Sequence, residues 1–219
     1  MPERCVLYVD GFNFYYAIKK NAKATPIYLG WCDFGALARG FMLPPGSSLV
    51  GVKYFTAPVK EYGDKGGAKG GEAARQQAWL DAVRDIPDLV VVEGFYRRGD
   101  DDPDPHAKSK KRDEKQTDVN IAVALLVDAH LGAYDRALLL TGDQDQIPAV
   151  NAVTRVFGRR LDVWLPPNSP TPIPLAWQVL EREGVRTRAI TAEMLGLSRL
   201  PEHSEAPSYW RAPPGPAKL

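Results

Sequence analysis

A chain of 219 residues is long enough for one domain with a full core, and 44% hydrophobic with 25% charged residues excludes a disordered or fibrous polymer. Lys and Arg total 28 against 27 Asp and Glu, so the net charge of +1 selects no partner in bulk, and any nucleic-acid surface has to come from local clustering. No apolar run reaches the roughly 18 residues of a membrane span and no basic-then-apolar leader opens the chain, so a cytoplasmic protein is expected. Cys5 and Cys32 lack metal-ligand spacing and read as buried free thiols of a reducing compartment.

In chain order, residues 5–9 form a short β-branched strand, and residues 12–20 a helix. A second helix is expected over 31–41, with Asp33 near its start and Gly40 near its end. A strand over 47–57 precedes the glycine-rich run 63–71, which lacks the spacing of a nucleotide-binding loop and reads as a flap. Residues 72–84 have amphipathic helical spacing, 88–96 read as a buried strand, and 97–115 as a charged loop. The helix over 117–129 carries apolar residues on nearly every face and is expected to be buried against a sheet. A strand and turn over 136–145, a helix over 147–157 and a strand over 160–167 follow. The chain then offers a helix over 173–183, a strand over 185–190 and a short helix from Thr191. The Pro-rich residues 202–219, with Tyr209 and Trp210, read as a disordered tail and a candidate protein-binding segment beyond a domain over 1–201. Strands alternating with helices predict an α/β fold with a mainly parallel sheet.

Sites in such sheets form beyond the carboxyl ends of the strands. Asp10 ends the first strand, Asp143 follows the strand at 136–140, Asp145 lies two residues on, and Asp118 opens the apolar helix. Singly, each has a plain role: Asp145 as a helix cap, Asp118 as a complement to the helix dipole, Asp10 as an Asx turn. Brought together, two carboxylates about 4 Å apart repel by about 4 kcal/mol at an effective dielectric of 20. A divalent cation relieves that load, and oxygen ligands without clustered His or Cys favour Mg²⁺ or Mn²⁺ over zinc. His106, His130 and His203 are scattered and read as surface residues.

The stretches "VDGFNFYYA", "EKQTDVNIAVALLVDA" and "YDRALLLTGDQDQIPAV", with "KYFTA", "RQQAWLDAV", "VFGRRLDVWLPP" and "LSRLP" in order around them, resemble the NYN domain family of PIN-like nucleases, which includes LabA-like proteins. The resemblance spans roughly residues 4–201 and implies a PIN-like three-layer α/β/α sandwich with metal-dependent cleavage of RNA. Position by position, Asp10 matches the acid of the first motif, Asn13 its companion asparagine, Asp118 the acid of the second motif, and Asp143 with Asp145 the paired acids of the third. Thr141 matches that motif's small hydroxyl residue. Gln116 stands where the family usually has glycine, and Gln146 where an apolar residue is common, which puts substrate preference in doubt more than metal binding.

The expected chemistry is hydrolysis of RNA phosphodiesters by an endoribonuclease, with one or two Mg²⁺ or Mn²⁺ ions held by Asp10, Asp118, Asp143 and Asp145. Asp145 either touches metal or turns a bound water. Asn13 is expected to orient Asp10 or a metal-bound water, or else to start the helix. Thr141 hydrogen-bonds an aspartate or a phosphate, or caps a turn. Lys108, Lys110, Lys111 and Arg112 precede the Asp118 helix and are the expected RNA-backbone contacts, or a solvated loop partly neutralised by the neighbouring acids. The alternative is a catalytically silent RNA-binding or regulatory module, and a homo-oligomer is compatible with either. An aspartyl-nucleophile phosphatase ranks low because position 12 is Phe12 rather than a second acid.

Overall fold

The computed structural model describes residues 1–20, 23, 25–58, 71–97 and 113–200. The glycine-rich 63–70, the basic run Lys108, Lys110, Lys111 and Arg112, and the tail 202–219 therefore lie outside the described residues. Among the described residues, six parallel strands form the central sheet and seven helices flank it, a three-layer α/β/α sandwich. The strands are β1 (Glu3–Asp10), β2 (Ser47–Thr56), β3 (Leu89–Glu93), β6 (Arg136–Leu140), β7 (Arg160–Leu165) and β8 (Arg186–Ala189). Two three-residue strands, β4 (Phe95–Arg97) and β5 (Asp113–Lys115), pair antiparallel apart from the sheet.

The sheet order is β3-β2-β1-β6-β7-β8. The chain leaves β1 toward β2 and β3 on one side, then returns to lay β6, β7 and β8 on the other, with Val9 paired to Leu140. The winding thus reverses between β1 and β6, where the loops beyond the strand ends part and leave a crevice.

Strand periodicity sorts the core. In β1, Cys5, Leu7 and Val9 face one layer and Val6 and Tyr8 the other. The first layer holds α1 (Gly11–Lys20), α2 (Phe34–Leu37), α3 (Gly71–Arg84) and α7 (Ala192–Leu197), packed around Trp31, Phe34, Tyr54 and Trp79. The second holds α4 (Thr117–Leu131), α5 (Ile147–Asn151) and α6 (Leu175–Arg182), packed around Ile121, Leu125, Val153 and Trp177. At the far end of the strands, buried Asp162 takes hydrogen bonds from Arg136 at 2.6 Å and from Arg186, which ties β6, β7 and β8 together away from the crevice. Cys5 and Cys32 are buried free thiols, as expected. No helix of the described residues is long and apolar enough to cross a membrane.

Three expectations change. The helix expected over 31–41 begins only at Phe34, because the Asp33 side chain accepts the Ala36 N–H at 2.8 Å and caps it there. It ends in a π-helical turn, Ala38–Met42, and a second such turn, Ala152–Val156, closes α5 where a continuous helix was expected. The strand expected over 88–96 is split at Gly94, and β3 is a sheet edge with Val90 exposed, not a buried strand.

The third change concerns α4. Its inner face carries Ile121, Leu125, Asp128 and Ala129 into the core, and Asp128 accepts from Tyr8 Oη at 2.5 Å and pairs with Lys53 Nζ at 2.7 Å. That buried network fixes the rotation of the helix about its axis. Val119, Val123, Val127 and Leu131 consequently point outward and are exposed, so the helix is not buried on every face.

Candidate functional site

Asp10 is the last residue of β1, beyond which Gly11 opens α1. A Cβ on Gly11 would lie 2.6 Å from the Phe55 carbonyl oxygen and 2.6 Å from the Tyr54 ring, so only glycine lets the helix start this close to β2. Asp10 is nearly inaccessible, with 3% of its surface exposed. Its Oδ1 accepts the Asn13 backbone N–H at 3.0 Å and its Oδ2 accepts the Thr141 hydroxyl at 2.8 Å. Thr141 Oγ1 in turn accepts the Asp143 N–H at 3.0 Å, so this fully buried residue both holds an aspartate and caps a turn.

Burial pushes the Asp10 carboxyl up from 3.8 to about 6, against the two hydrogen bonds, which lower it; the charges of Asp118 and Asp143 add to the rise. A carboxyl with a midpoint there exchanges its proton near neutral pH, which suits it to acid–base work.

The crevice beyond these strands is a pocket of about 650 Å³. Asp10, Asn13, Asp118, Gly142 and Asp143 are among the residues lining one part of it. Phe12, Tyr16 and Lys20 from α1 form a second side, and Pro166 to Pro170, beyond the end of β7, form a third. The Phe12 and Tyr16 rings stack with centroids 6.4 Å apart and planes 20° from parallel. Asn168 pins the proline-rich segment to α1, donating to the Ala17 carbonyl at 3.3 Å and accepting from Thr25 Oγ1 at 3.1 Å.

Asp10, Asn13, Asp118 and Asp143 are therefore brought to one pocket, and Thr141 supports Asp10 from beneath. Asn13 works differently from the expectation. Its backbone N–H orients Asp10, while its side-chain Oδ1 accepts the Gly142 N–H at 2.8 Å and clips the β6 turn to α1. Asp143, not Asp145, is the cap: its Oδ1 accepts the Asp145 N–H at 3.0 Å, and Asp145 is exposed outside the pocket lining. Buried Gln146 donates from Nε2 to the Asp118 carbonyl at 3.1 Å and so ties this turn to the start of α4. Gln116 holds a left-handed backbone (φ 78°) one residue before α4, the conformation that explains why glycine suits that position. The aromatic wall and the proline segment are the parts that motif reading missed. The run "PPNSP" at the carboxyl end of a strand was the available signal.

The donor chemistry, three carboxylates, is that of a hard cation, but among the described residues no group of three or more His, Cys, Asp or Glu is placed to hold a metal ion. A dinucleotide pyrophosphate fits poorly as well. Gly11 is spent on packing against β2, and the edge is lined by acids rather than by a glycine-rich cradle.

No family model matches the chain. It is 29% identical to the 6-hydroxy-3-succinoylpyridine 3-monooxygenase of Pseudomonas putida, over 75% of this chain and 60% of that protein. The chain thus spans less than two thirds of that relative. A crystal structure of a protein of unknown function from Vibrio parahaemolyticus superposes with a TM-score of 0.55 at 16% identity, covering 86% of this chain and 93% of that one, which supports the fold alone. The monooxygenase corrects one expectation. The acidic motifs led to a metal-dependent endoribonuclease, and this likeness points to an oxidoreductase rather than a nuclease.

Proposed function

We propose that the chain is an oxidoreductase of the monooxygenase class acting on a small hydroxylated aromatic acid, with Asp10 as its acid–base group. The observation that carries this is the construction of the pocket: a buried carboxyl poised near pH 6 shares its lining with a stacked aromatic pair. The relative, named for a hydroxypyridine bearing a succinoyl chain, supplies the reaction class.

A planar ring placed against Phe12 and Tyr16 gains offset or edge contacts with a π face, which fixes its plane. Pro166, Pro167 and Pro170 add stiff apolar surface to the same pocket lining, which favours exclusion of water. Lys20 at the rim offers an ammonium to a substrate carboxylate. Asp10 then takes the proton from a ring hydroxyl, and the electron density released into the ring activates the carbon that is to be oxygenated. Asn13 and Thr141 hold the carboxyl in one orientation while it gains and loses that proton. A monooxygenase uses O₂ and two electrons, placing one oxygen atom in the product and the other in water.

The test is incubation of the full chain with 6-hydroxy-3-succinoylpyridine under ¹⁸O₂, with reduced flavin mononucleotide, which has no pyrophosphate, regenerated by a separate reductase as the two-electron donor, and mass spectrometry of the product. Incorporation of one ¹⁸O atom by the wild type and its loss in Asp10→Asn is the expected result. No incorporation into this or any simple hydroxypyridine overturns the reading.

A further inference from the structure

We propose that a pocket on β7 and β8, separate from the crevice, binds a small carboxylate carried on a compact apolar body. Strand alternation puts Asp162 and Trp164 of β7 on one face of the sheet with Arg186 and Arg188 of β8, and these four residues form one part of its lining. Met42 to Pro45, the turn that leads into β2, supply the rest. No lining residue is shared with the crevice that holds Asp10, so the pocket stands whatever reaction the crevice performs. Its volume is about 240 Å³. That is room for about eight waters, and it lies below the roughly 300–1,000 Å³ of pockets that take drug-sized ligands. A single small ring or a short chain is the size that fits.

Three observations name the ligand's chemistry. The first is a cation without an anion. Asp162 Oδ1 accepts from Arg136 Nη1 at 2.6 Å and from Arg186 Nε at 3.2 Å, and its Oδ2 accepts from Arg186 Nη2. That carboxylate is fully engaged by two guanidiniums. Arg188 enters no ion pair among the described residues, and its guanidinium lies 5.9 Å from the centre of the Trp164 ring. The lining thus carries two cations against one anion. A guanidinium held against an aromatic ring keeps its planar fork of donors, which matches the two oxygens of a carboxylate. The second observation is an unclaimed donor. Trp164 is 3% exposed, and its Nε1–H is buried with no acceptor among the described residues. A buried donor left unpaired is costly, and an anionic oxygen brought into the pocket that this indole lines supplies the acceptor. The third is the apolar wall of Met42, Leu43, Pro44 and Pro45. A bare hydrated ion gains nothing from such a wall, whereas a ring or short chain behind the carboxylate buries its surface there.

Benzoate is the probe, titrated into the ¹⁵N-labelled full chain while the Trp164 indole N–H signal is followed by NMR. That signal is assigned by its loss in Trp164→Phe. Benzoate should shift it saturably, with a dissociation constant of about 1 mM or below. Benzamide, the same ring without the charge, should bind about 10-fold more weakly or worse. Arg188→Ala should weaken benzoate binding by about 10-fold or more, the effect of a lost charge-assisted hydrogen bond. Arg188→Lys keeps the charge and loses the fork, so its effect should be smaller. Circular dichroism should show both variants folded, because Arg188 is exposed. Lys20→Ala alters the crevice alone and should leave the titration unchanged. No saturable shift at tens of millimolar benzoate overturns the proposal, as does an Arg188→Ala protein that binds as tightly as the wild type. A shift abolished by Lys20→Ala would place the benzoate in the crevice and equally overturn it. Inorganic phosphate binding as tightly as benzoate would make this a bare-anion site, which also overturns it.

Discussion

Asp10→Asn separates the electrostatics of the buried carboxyl from the rest of the fold. The ionised form of Asp10 is disfavoured in the folded state, where its midpoint is about 6 instead of 3.8. A group whose folded midpoint is raised contributes stability that is fully present below its unfolded midpoint and lost as pH rises through the folded one. Between pH 3.8 and about 6 the wild type should therefore lose stability steadily, reaching a deficit of about 3 kcal/mol at pH 8. Asparagine carries no charge at any of these pH values and keeps the shape. Its carbonyl can accept the Asn13 N–H, and its amide can donate to Thr141 Oγ1. Other titrating groups, such as Asp135 held low by Arg4, are common to both proteins and cancel in the difference. At 2–4 °C per kcal/mol for a chain of this size, the melting advantage of the variant should grow by roughly 6–12 °C between pH 4 and pH 8. The assay is differential scanning calorimetry of both proteins at half-unit pH intervals. A difference that stays flat within about 1 °C, or that shrinks as pH rises, refutes the account of Asp10 as a buried, reluctantly charged group.

Thr141→Val removes the hydroxyl donor that lowers the Asp10 midpoint, so a carbonyl-carbon NMR titration of Asp10 should find it above 6; a fall would show that Thr141 does not act through that bond. Asp118→Asn removes a like charge and should shift the same titration downward. If a hard divalent cation sits among Asp10, Asp118 and Asp143, millimolar Mn²⁺ or Mg²⁺ should raise the melting temperature of the wild type more than that of Asp118→Asn, and a flat response from both removes the cation from consideration. Gln116→Gly relieves a left-handed backbone that costs a side chain about 1–2 kcal/mol, and should raise the melting temperature by a few degrees; a decrease would mean that the glutamine makes contacts worth more than the strain.

The convergence of Asp10, Asp118 and Asp143 was legible because parallel strands followed by helices can place strand-end residues at only one edge of a sheet. Once β1 and β6 are neighbours, the residues that end them share a crevice. Thr141 was legible only as a set of alternatives, since one hydroxyl can donate to an aspartate and accept from a turn at the same time, and it does both. The cap expected at Asp145 falls on Asp143 for a local reason. In Asp-x-Asp the residue that caps is the one whose side chain reaches two positions ahead, and here that is Asp143, which leaves Asp145 facing solvent.

The acids alone do not fix a reaction class. A carboxylate at a strand end serves a metal, a proton transfer or a turn, and what decides among them is its environment. Both oxygens of Asp10 are held by an N–H and an O–H donor, its midpoint is raised by burial, and a stacked pair of rings lines the same pocket. None of these properties belongs to Asp10 as a letter in the chain, because each depends on β2, β6, α1 and the segment after β7 arriving around it. The same limit explains α4. An apolar pattern on every face states that the helix must be covered, and Asp128 states which side faces the sheet, but the pattern is silent on whether the remaining face is covered by this chain or by another.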